Sequence, residues 1–250
     1  VISVKKIISE IITKNGGYTN AFTSHEHTCY YYTIQKDYFD ESLDIFSQFF
    51  IHPLLDSSSV ERELTAVHSE HEKNKNDDGW RHEEIIKILC LKDHAYKRFG
   101  TGNYSTLKVD NIEKILRDFY DSYYSSDIMT LFVVSNNSID HMKNKIYKYF
   151  KHITIKGNRS DKLITRDKLR TTGDIFNFPA ILYVEPLNHF ETMSLSWTVN
   201  SYNEDIKSYP IDFLAYILGH EGENTIYHTL EAAGLITAMN VDNADKIGNK

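Results

Sequence analysis

The chain has 250 residues, of which 41% are hydrophobic and 25% charged, a composition typical of globular domains that bury a sizeable core. The formal net charge of −7 gives no indication of nucleic acid or an anionic membrane as a partner. The two cysteines, Cys29 and Cys90, are too few for a disulfide framework.

No apolar run in the sequence approaches the length of a transmembrane helix. The apolar residues of the N-terminal stretch are interrupted by Lys5, Lys6 and Glu10, so this stretch is neither a membrane span nor a signal peptide. A reducing compartment fits the low cysteine content, and a cytoplasmic location is slightly favoured.

The first part of the chain predicts a helix, a pair of strands and a second helix. Isoleucines at helical spacing predict a helix from Val1 to Lys14, which Asn15-Gly16-Gly17 ends. Aromatic and β-branched residues predict two adjacent strands within Tyr18–Ile34, with a bend near Ser24 to Glu26. Asp37 to Phe50 is the next predicted helix, and its inward-facing residues are Leu43, Phe46, Phe49 and Phe50.

Two histidines lie at the predicted bend between the strands. His25 and His27 are two positions apart, so both imidazoles would lie on one face of a strand and could form half of a metal site. Polar residues at a strand turn are the commoner explanation of such a pair, and a third ligand would be needed to favour a metal.

The central feature of the sequence is a predicted helix from Ser57 to Asn74, with serines expected to cap its start. Glu63 and Glu70 are seven positions apart and therefore project from one face of this helix. Next to them runs a narrow apolar stripe of Val60, Leu64 and Val67. Carboxylates beside a core-facing stripe are costly unless they are paired or bind a metal, although charges at helical spacing more commonly form a solvated face.

The rest of the chain alternates helices and strands. A break at 76–79 precedes a predicted helix from Trp80 to Leu91, and the loop Phe99–Asn103 lacks the context of a phosphate-binding loop. The further predicted elements are helices at Asn111–Tyr124 and Ser138–His152, a buried strand at Ile128–Val134, strand-like runs at Ala180–Val184 and Met193–Val199, helices at Pro210–Leu218 and Thr225–Ala233, and a strand at Ile236–Val241.

The segment from Glu63 to Asn74 resembles the second metal-ligand helix of the insulysin/pitrilysin family, zinc peptidases with an inverted His-x-x-Glu-His motif. The resemblance implies that Glu70 is the third protein ligand to Zn²⁺ and that Glu63 orients a ligating histidine. A hydrolytic zinc needs three protein ligands, supporting hydrogen bonds and an open position for water, which agrees with this assignment.

Other segments resemble the same family. Asn20-Ala21-Phe22-Thr23, followed by Glu26-His27-Thr28, resembles the edge strand of the active site, which implies that a peptide substrate extends the sheet along these four residues. The segment Asn76-Asp77-x-x-Trp80-Arg81, which follows the helix with Glu63 and Glu70, also resembles the family and implies that Trp80 flanks the substrate cleft. A tryptophan at the start of a helix is, however, more often a packing residue than a binding one.

The resemblance implies an α+β fold with a mostly antiparallel sheet and helices packed on one face. Residues 1–155 would form the first peptidase-like domain, 156–174 a polar linker, and 175–250 the start of a second, structurally repeated domain. The signature turn of this second domain is Gly219-His220-Glu221-Gly222. The sequence departs from the family at Glu223-Asn224-Thr225, where a turn containing proline and glycine is usual.

The motif His-x-x-Glu-His does not occur in these residues, and by the resemblance it would lie before Val1. Without it, Glu70 is one carboxylate with no histidine partners, and the glutamate that acts as general base is missing. Two interpretations follow: part of a longer zinc metalloendopeptidase that cleaves peptides by metal-activated water, or a zinc-less paralogue that binds peptides or regulates a partner subunit. In either case the partners are a peptide and the remaining domains or a partner subunit.

The 250-residue chain by itself is expected to bind Zn²⁺ weakly and not to hydrolyse a quenched fluorescent peptide, because a single carboxylate does not hold a catalytic zinc. Calorimetric titration with Zn²⁺ and a fluorescence assay measure the two properties. Tight stoichiometric zinc, with turnover that Glu70→Gln abolishes, would show that the ligands have been assigned to the wrong part of the protein.

Overall fold

The computed structural model describes residues 2–24, 27–91, 94–157, 176, 179–188, 191–199 and 208–242. The chain divides into two compact units, each built from three segments. The first comprises Val1–Ile88, Arg98–Leu163 and Val184–His189, and the second comprises Leu89–Lys97, Ile164–Tyr183 and Phe190–Lys250. The predicted linker at 156–174 falls almost entirely outside the described residues.

The fold is α+β, as the sequence predicted, with helices and a small antiparallel sheet. In the described residues the elements are α1 (Ile2–Lys14), β1 (Tyr18–Thr23), β2 (Thr28–Thr33), α2 (Phe39–Ile51), α3 (Ser57–Asn74), α4 (Asp78–Leu89), α5 (Tyr104–Leu107), α6 (Ile112–Tyr123), α7 (Ile139–Phe150), α8 (Pro210–Leu218) and α9 (Ile226–Ala232). Short 3₁₀ turns lie at Lys36–Tyr38, Ala95–Lys97 and Ser126–Ile128. No described helix is long and apolar enough to cross a membrane.

The hairpin formed by β1 and β2 packs its inner face against α2. The register runs from Tyr18 opposite Thr33 to Thr23 opposite Thr28. On the inner face the ring of Tyr30 lies 4.9 Å from that of Phe49, and the ring of Tyr32 lies 5.0 Å from that of Phe46. The predicted inward face of α2 is confirmed, because its residues are buried or half-buried.

Helix α1 closes the same core. Ile8 and Ile12 are buried and form one apolar cluster with Phe46. The turn into β1 requires a glycine, since a Cβ at Gly17 would lie 2.1 Å from the carbonyl oxygen of Thr33 and collide with it. The helix and the hairpin can therefore approach closely only with glycine at this position.

Helix α6 stabilises the C-terminal end of α2 through hydrogen bonds to carbonyl groups that a helix end leaves without partners. The hydroxyl of Tyr120 donates to the carbonyl oxygens of Phe50 and Ile51 at 2.6 Å and 3.0 Å. One turn earlier, the guanidinium of Arg117 donates to the carbonyl of Pro53 at 2.9 Å. The bonds of Tyr120 join residues that are 69 and 70 positions apart in sequence, and that of Arg117 joins residues 64 positions apart.

The break predicted at 76–79 is shorter than expected, because α4 already begins at Asp78. The carboxylate of Asp78 accepts hydrogen bonds from the backbone N–H groups of Leu187 and Asn188 at 3.0 Å and 3.1 Å, and from Arg81 at 2.7 Å. The bonds from Leu187 and Asn188, followed by that from Arg81, lower the pKa of the Asp78 carboxyl. They attach residues 184–188 to the start of α4 within the first unit.

The strand predictions outside the hairpin are wrong. Ser126–Ile128 forms a 3₁₀ turn, and residues 129–134 belong to no strand, with Phe132 86% exposed and Val134 99% exposed. The runs at 180–184, 193–199 and 236–241 are likewise outside any helix or strand. A strand exists only when another strand pairs with its backbone, and the described residues supply no such partner to these segments.

In the second unit, α8 and α9 lie close to their predicted bounds. Pro210 occupies the first turn of α8, where its missing N–H costs nothing. The helix is apolar over most of its circumference, yet Phe213 and Tyr216 are exposed. Cys90 is buried in this unit and forms an isolated antiparallel bridge with Phe176.

Tyr120→Phe removes the hydroxyl that binds the last carbonyls of α2 and should lower the free energy of unfolding by about 1–2 kcal/mol. Tyr147→Phe is the matched control, because Tyr147 is exposed and its loss of a hydroxyl should change stability by less than about 0.5 kcal/mol. Urea unfolding followed by circular dichroism measures both. Equal effects of the two substitutions would show that the Tyr120 hydroxyl does not support α2.

Candidate active site

Helix α3 begins and ends at the predicted residues, but its N-cap is Asp56 and not a serine. The Oδ1 atom of Asp56 accepts hydrogen bonds from the N–H of Ser59 at 3.0 Å and from the hydroxyl of Ser58 at 2.7 Å. Hydrogen bonds from Ser59 and then Ser58 lower the pKa of Asp56 to about 2. The prediction of a serine cap was wrong because an aspartate just before the serine run is an equally good acceptor.

Glu63 and Glu70 lie two turns apart on α3 and share a side of the helix, as their spacing predicted. Val60 is buried, and Leu64 and Val67 are half-buried, which confirms the apolar stripe. Glu63 is half-buried and has an interaction partner, whereas Glu70 is exposed. The expected burial of both carboxylates is therefore found only in part, and Glu70 does not bear a desolvation cost.

The glycine-containing loop at 99–103 packs against α3. The Nδ1 atom of His71 lies 3.2 Å from the hydroxyl of Thr101, and the ring of Phe99 meets the His71 ring edge-on at 5.3 Å. A Cβ at Gly102 would lie 2.4 Å from the Leu107 side chain and 3.0 Å from Val67. A side chain at this position would force the end of the Leu107 side chain to move, so the glycine favours close packing of the loop on the helix that carries the two glutamates.

A second contact to α3 comes from Tyr104 and was not predicted. Its ring lies 4.0 Å from that of His68, and its hydroxyl donates to Thr65 at 3.1 Å. Nδ1 of His68 is buried without a hydrogen-bond partner in the described part of the chain, and so is Nδ2 of Asn74. The three-residue spacing of Thr65 and His68 indicates one helix face, but no local signal in the sequence brings Tyr104 to it.

The predicted substrate-binding residues Asn20, Ala21, Phe22 and Thr23 are all exposed on β1. Asn20 and Phe22 project to the outer face of the hairpin, opposite the face that packs on α2. Tyr18 and Tyr31 lie on this outer face too, and the ring of Tyr31 is 6.2 Å from that of Tyr18 and 6.4 Å from that of Phe22.

Sequence reasoning missed Tyr18 and Tyr31 as members of this surface, although the period-two alternation of β1 could have found Tyr18. The side chain of Asn20 is held on the strand, where it donates to the Tyr18 hydroxyl at 2.9 Å and accepts from the Ala21 N–H at 2.8 Å. We call Tyr18, Asn20, Phe22 and Tyr31 the outer aromatic face.

Strand β1 has β2 on one side and no strand partner on the other within the described residues. An extended peptide could add to such an edge through main-chain hydrogen bonds. Trp80 is 44% exposed in the first turn of α4, where its backbone N–H donates to the side chain of Asp77 at 3.1 Å. A tryptophan at the start of a helix is usually a packing residue, but the exposure of Trp80 does not support that role here.

No group of three or more metal-binding side chains occurs among the described residues. His25 and Glu26 lie outside them, so the predicted His25–His27 pair lies partly there. In the second unit, Nδ1 of His220 accepts a hydrogen bond from the backbone N–H of Gly222 at 2.9 Å and so stabilises the turn at 219–222. The donor set of the described residues therefore does not by itself fit a hydrolytic zinc, since Glu70 contributes only one carboxylate.

Sequence profiles of two families match the chain. The one described as "Insulinase (Peptidase family M16)" matches residues 3–92, and the one described as "Peptidase M16 inactive domain" matches residues 113–247. The two matches together span most of the chain and place both units within one family.

Curated relatives match almost the whole chain. "Insulin-degrading enzyme-like 1, peroxisomal" of Arabidopsis thaliana is 34% identical over 239 residues, which are 92% of this chain and 24% of the relative. The insulin-degrading enzyme of Homo sapiens is 30% identical over 238 residues, which are 92% of this chain and 23% of the relative. The chain thus spans about a quarter of the length of these relatives.

Among solved structures, the crystal structure of pitrilysin has a TM-score of 0.73 and 22% sequence identity. The match covers 97% of this chain and 26% of the pitrilysin chain. At this low identity the match shows only that the two chains share an α+β fold.

Asp56→Ala should loosen the start of α3, because the N–H of Ser59 loses its acceptor, while Asp56→Asn retains an oxygen at the same place. Amide exchange of Ser59 should be faster in the alanine variant only.

The pKa of Asp56 is about 2 in the folded chain, below the ordinary value of 3.8 that it has in the unfolded chain. The charge of Asp56 therefore stabilises the fold fully above pH 3.8, and this stabilisation disappears as the pH falls through about 2.

The stability difference between the natural chain and Asp56→Asn should therefore shrink from pH 6 to pH 2, as measured by the urea midpoint. A difference that stays constant over this range would mean that the charge of Asp56 does not stabilise α3.

Proposed function

This chain belongs to the peptidase M16 family, of the insulysin/pitrilysin type, and on that premise we propose that it is part of a longer zinc metalloendopeptidase. The names of the relatives describe enzymes that degrade insulin, and the substrate of the present protein is proposed only as a class, namely peptides. Because the chain spans about a quarter of those relatives, the activity belongs to the proposed longer protein.

The observation that carries the proposal is the presentation of Glu70 on α3. The carboxylate is exposed on a regular helix of 18 residues, and this helix is fixed by the loop at 99–103 and by Tyr104. In the proposed enzyme Glu70 is one zinc ligand, Glu63 orients a second ligand, and the remaining ligands come from outside the described residues. The described residues alone do not fit a zinc, so we assign no hydrolytic step to them.

The second element of the proposal is substrate binding by β1. Asn20 to Thr23 would hold an extended peptide by main-chain hydrogen bonds at the free strand edge. The outer aromatic face offers exposed rings to the side chains of that peptide, and Trp80 would flank the same peptide. The main-chain hydrogen bonds would orient the peptide and contribute affinity irrespective of most of its sequence, whereas the aromatic rings would contact its side chains.

A zinc-less paralogue that binds peptides or regulates a partner subunit is the second candidate. It would lack His-x-x-Glu-His, which by the resemblance would lie before Val1, so the 250 residues are compatible with both candidates. Substrate binding by β1 is common to both candidates, and the metal distinguishes them. Neither candidate function depends on a cytoplasmic location, and one of the relatives is named as peroxisomal.

The decisive experiment is tandem mass spectrometry and metal analysis of the native protein, captured from its source with an antibody against this chain. Peptides upstream of Val1 that contain His-x-x-Glu-His, together with one zinc per chain, are the result expected for the peptidase. A native protein without the motif and without zinc would overturn the peptidase proposal in favour of the paralogue.

In the longer protein, Glu70→Gln should abolish stoichiometric zinc, and Glu63→Gln should weaken zinc binding by about 10- to 100-fold. Glu61→Gln is the matched control, because Glu61 is an exposed glutamate on the same helix. Equal zinc content in all three variants would show that α3 supplies no ligand.

A further inference from the structure

A cavity of about 370 Å³ lies at the C-terminal ends of α2 and α7. Its walls are formed by Gln48, Ile51, His52, His152 and Thr154, all of which belong to the first unit. The two histidines are far apart in sequence, and no spacing motif connects them. The fold therefore brings two imidazole-bearing residues to one cavity.

On one wall, the backbone of His52 is fixed by the end of α2. His52 is the C-cap of this helix, and its N–H donates to the carbonyl of Gln48 at 3.0 Å. The hydroxyl of Tyr120 binds the carbonyls of the two residues that precede His52. The histidine therefore stands on a backbone that α6 holds in place, and only its side chain has to turn toward a ligand.

The second histidine lies just after α7, in a segment that is also held by hydrogen bonds. The N–H of Ile153 donates to the carbonyl of Phe150 at 3.0 Å, and the carbonyl of Thr154 accepts the N–H of Ser126 at 3.3 Å. These bonds lie on both sides of His152 and fix its backbone. A ligand that joins the two histidines would find both backbones already positioned, which lowers the entropic cost of binding.

The chemistry of the cavity suits a transition-metal ion. Imidazole is the commonest protein ligand of such ions, and both histidines are exposed, with rings that have no hydrogen bond, ion pair or ring contact among the described residues. Two helices end here, and the partial negative charge of their C-terminal ends favours a cation. No carboxylate lines the cavity, which makes it a poor site for Ca²⁺ or Mg²⁺.

Three cationic side chains belong to the segments around the cavity, and none of them lines it. Arg117 donates to the carbonyls that follow α2, and the ammonium group of Lys151 lies 5.6 Å from the centre of the Tyr147 ring. The ammonium group of Lys156 lies 3.3 Å from the carboxylate of Asp121. Because each of these cations has another partner, the lining itself presents imidazole, amide and hydroxyl groups to a ligand.

We propose that His52 and His152 bind one divalent transition-metal ion of the class of Ni²⁺, Cu²⁺ and Zn²⁺ at the ends of α2 and α7. Gln48 and Thr154 line the same cavity, and their side-chain oxygens and water supply the remaining ligands. The bound ion ties α2 to the segment after α7 and stabilises the first unit by mass action. The site contains neither Glu63 nor Glu70, so the inference does not rest on the proposed peptidase function.

Calorimetric titration of the 250-residue chain with Ni²⁺ at neutral pH tests the inference. The natural chain should bind one Ni²⁺ whose affinity falls at least about tenfold in His52→Gln and equally in His152→Gln, because each substitution removes one ligand. His141→Gln is the matched control, since His141 is exposed on α7 and does not line the cavity. Nickel affinity that is unchanged in either cavity variant would overturn the proposal.

Thermal unfolding provides a second measurement. At about 100 times its dissociation constant, Ni²⁺ should raise the Tm of the natural chain by about 5 °C or more. Both cavity variants should lose this shift and keep the Tm of the metal-free chain, because their substituted side chains are exposed. Glu70→Gln should retain the shift, and a shift that this variant abolishes would place the ion on α3 and overturn the proposal.

Inorganic phosphate is the competing ligand, because protonated imidazoles attract anions. It is tested with the same variants at pH 5.5. A rise in Tm with phosphate that both His52→Gln and His152→Gln abolish, together with no response of the natural chain to Ni²⁺ at neutral pH, would overturn the proposal in favour of an anion site.

Discussion

The packing of the β2 tyrosines on the phenylalanines of α2 is the contact on which the organisation of the hairpin depends. Tyr30 and Tyr32 turn their rings to Phe49 and Phe46, and the alternation of side chains along an antiparallel pair then forces the neighbouring residues outward. The exposure of Asn20, Phe22 and Tyr31 is thus a consequence of the core. A shift of one residue in the register would bury the outer face and expose the tyrosines that hold the hairpin.

The same reasoning applies to α3, whose rotation is set by its buried residues. Val60 is buried at one end, Gly102 packs closely against Val67, and Tyr104 covers His68. These contacts leave little freedom for the helix to turn about its axis, and they fix the directions in which its polar residues point. Glu70 is positioned by these apolar and aromatic contacts of its helix, because none of the ion pairs between described residues involves it, whereas Glu72 near the end of the helix pairs with Lys75 at 2.6 Å.

Helices were predictable from the sequence because their signals are local, and α3 and α8 match the predicted bounds residue by residue. Strands were predictable only where the partner lies next in the chain, as for β1 and β2. The run at 128–134 carries an equally clear strand composition and is not one, since composition cannot supply a partner. The contact of Tyr104 with His68 was missed because a loop brings together residues that are far apart in sequence. The assignment of Glu63, Glu70, Asn20 to Thr23 and Trp80 to a site came from resemblance, and it stays a prediction.

The hydrogen bonds of Asp78 have a consequence for how the protein can be taken apart. Leu187 and Asn188 return to the first unit after the chain has entered the second, so the two units are interleaved along the sequence. No single cut separates them, and a truncation at 157 would remove the groups that Asp78 binds. Each unit could be expressed alone only from a chain in which its separate segments are joined directly to one another. For the first unit, this chain would have to retain residues 184–189 so that Leu187 and Asn188 still bind Asp78 at the start of α4.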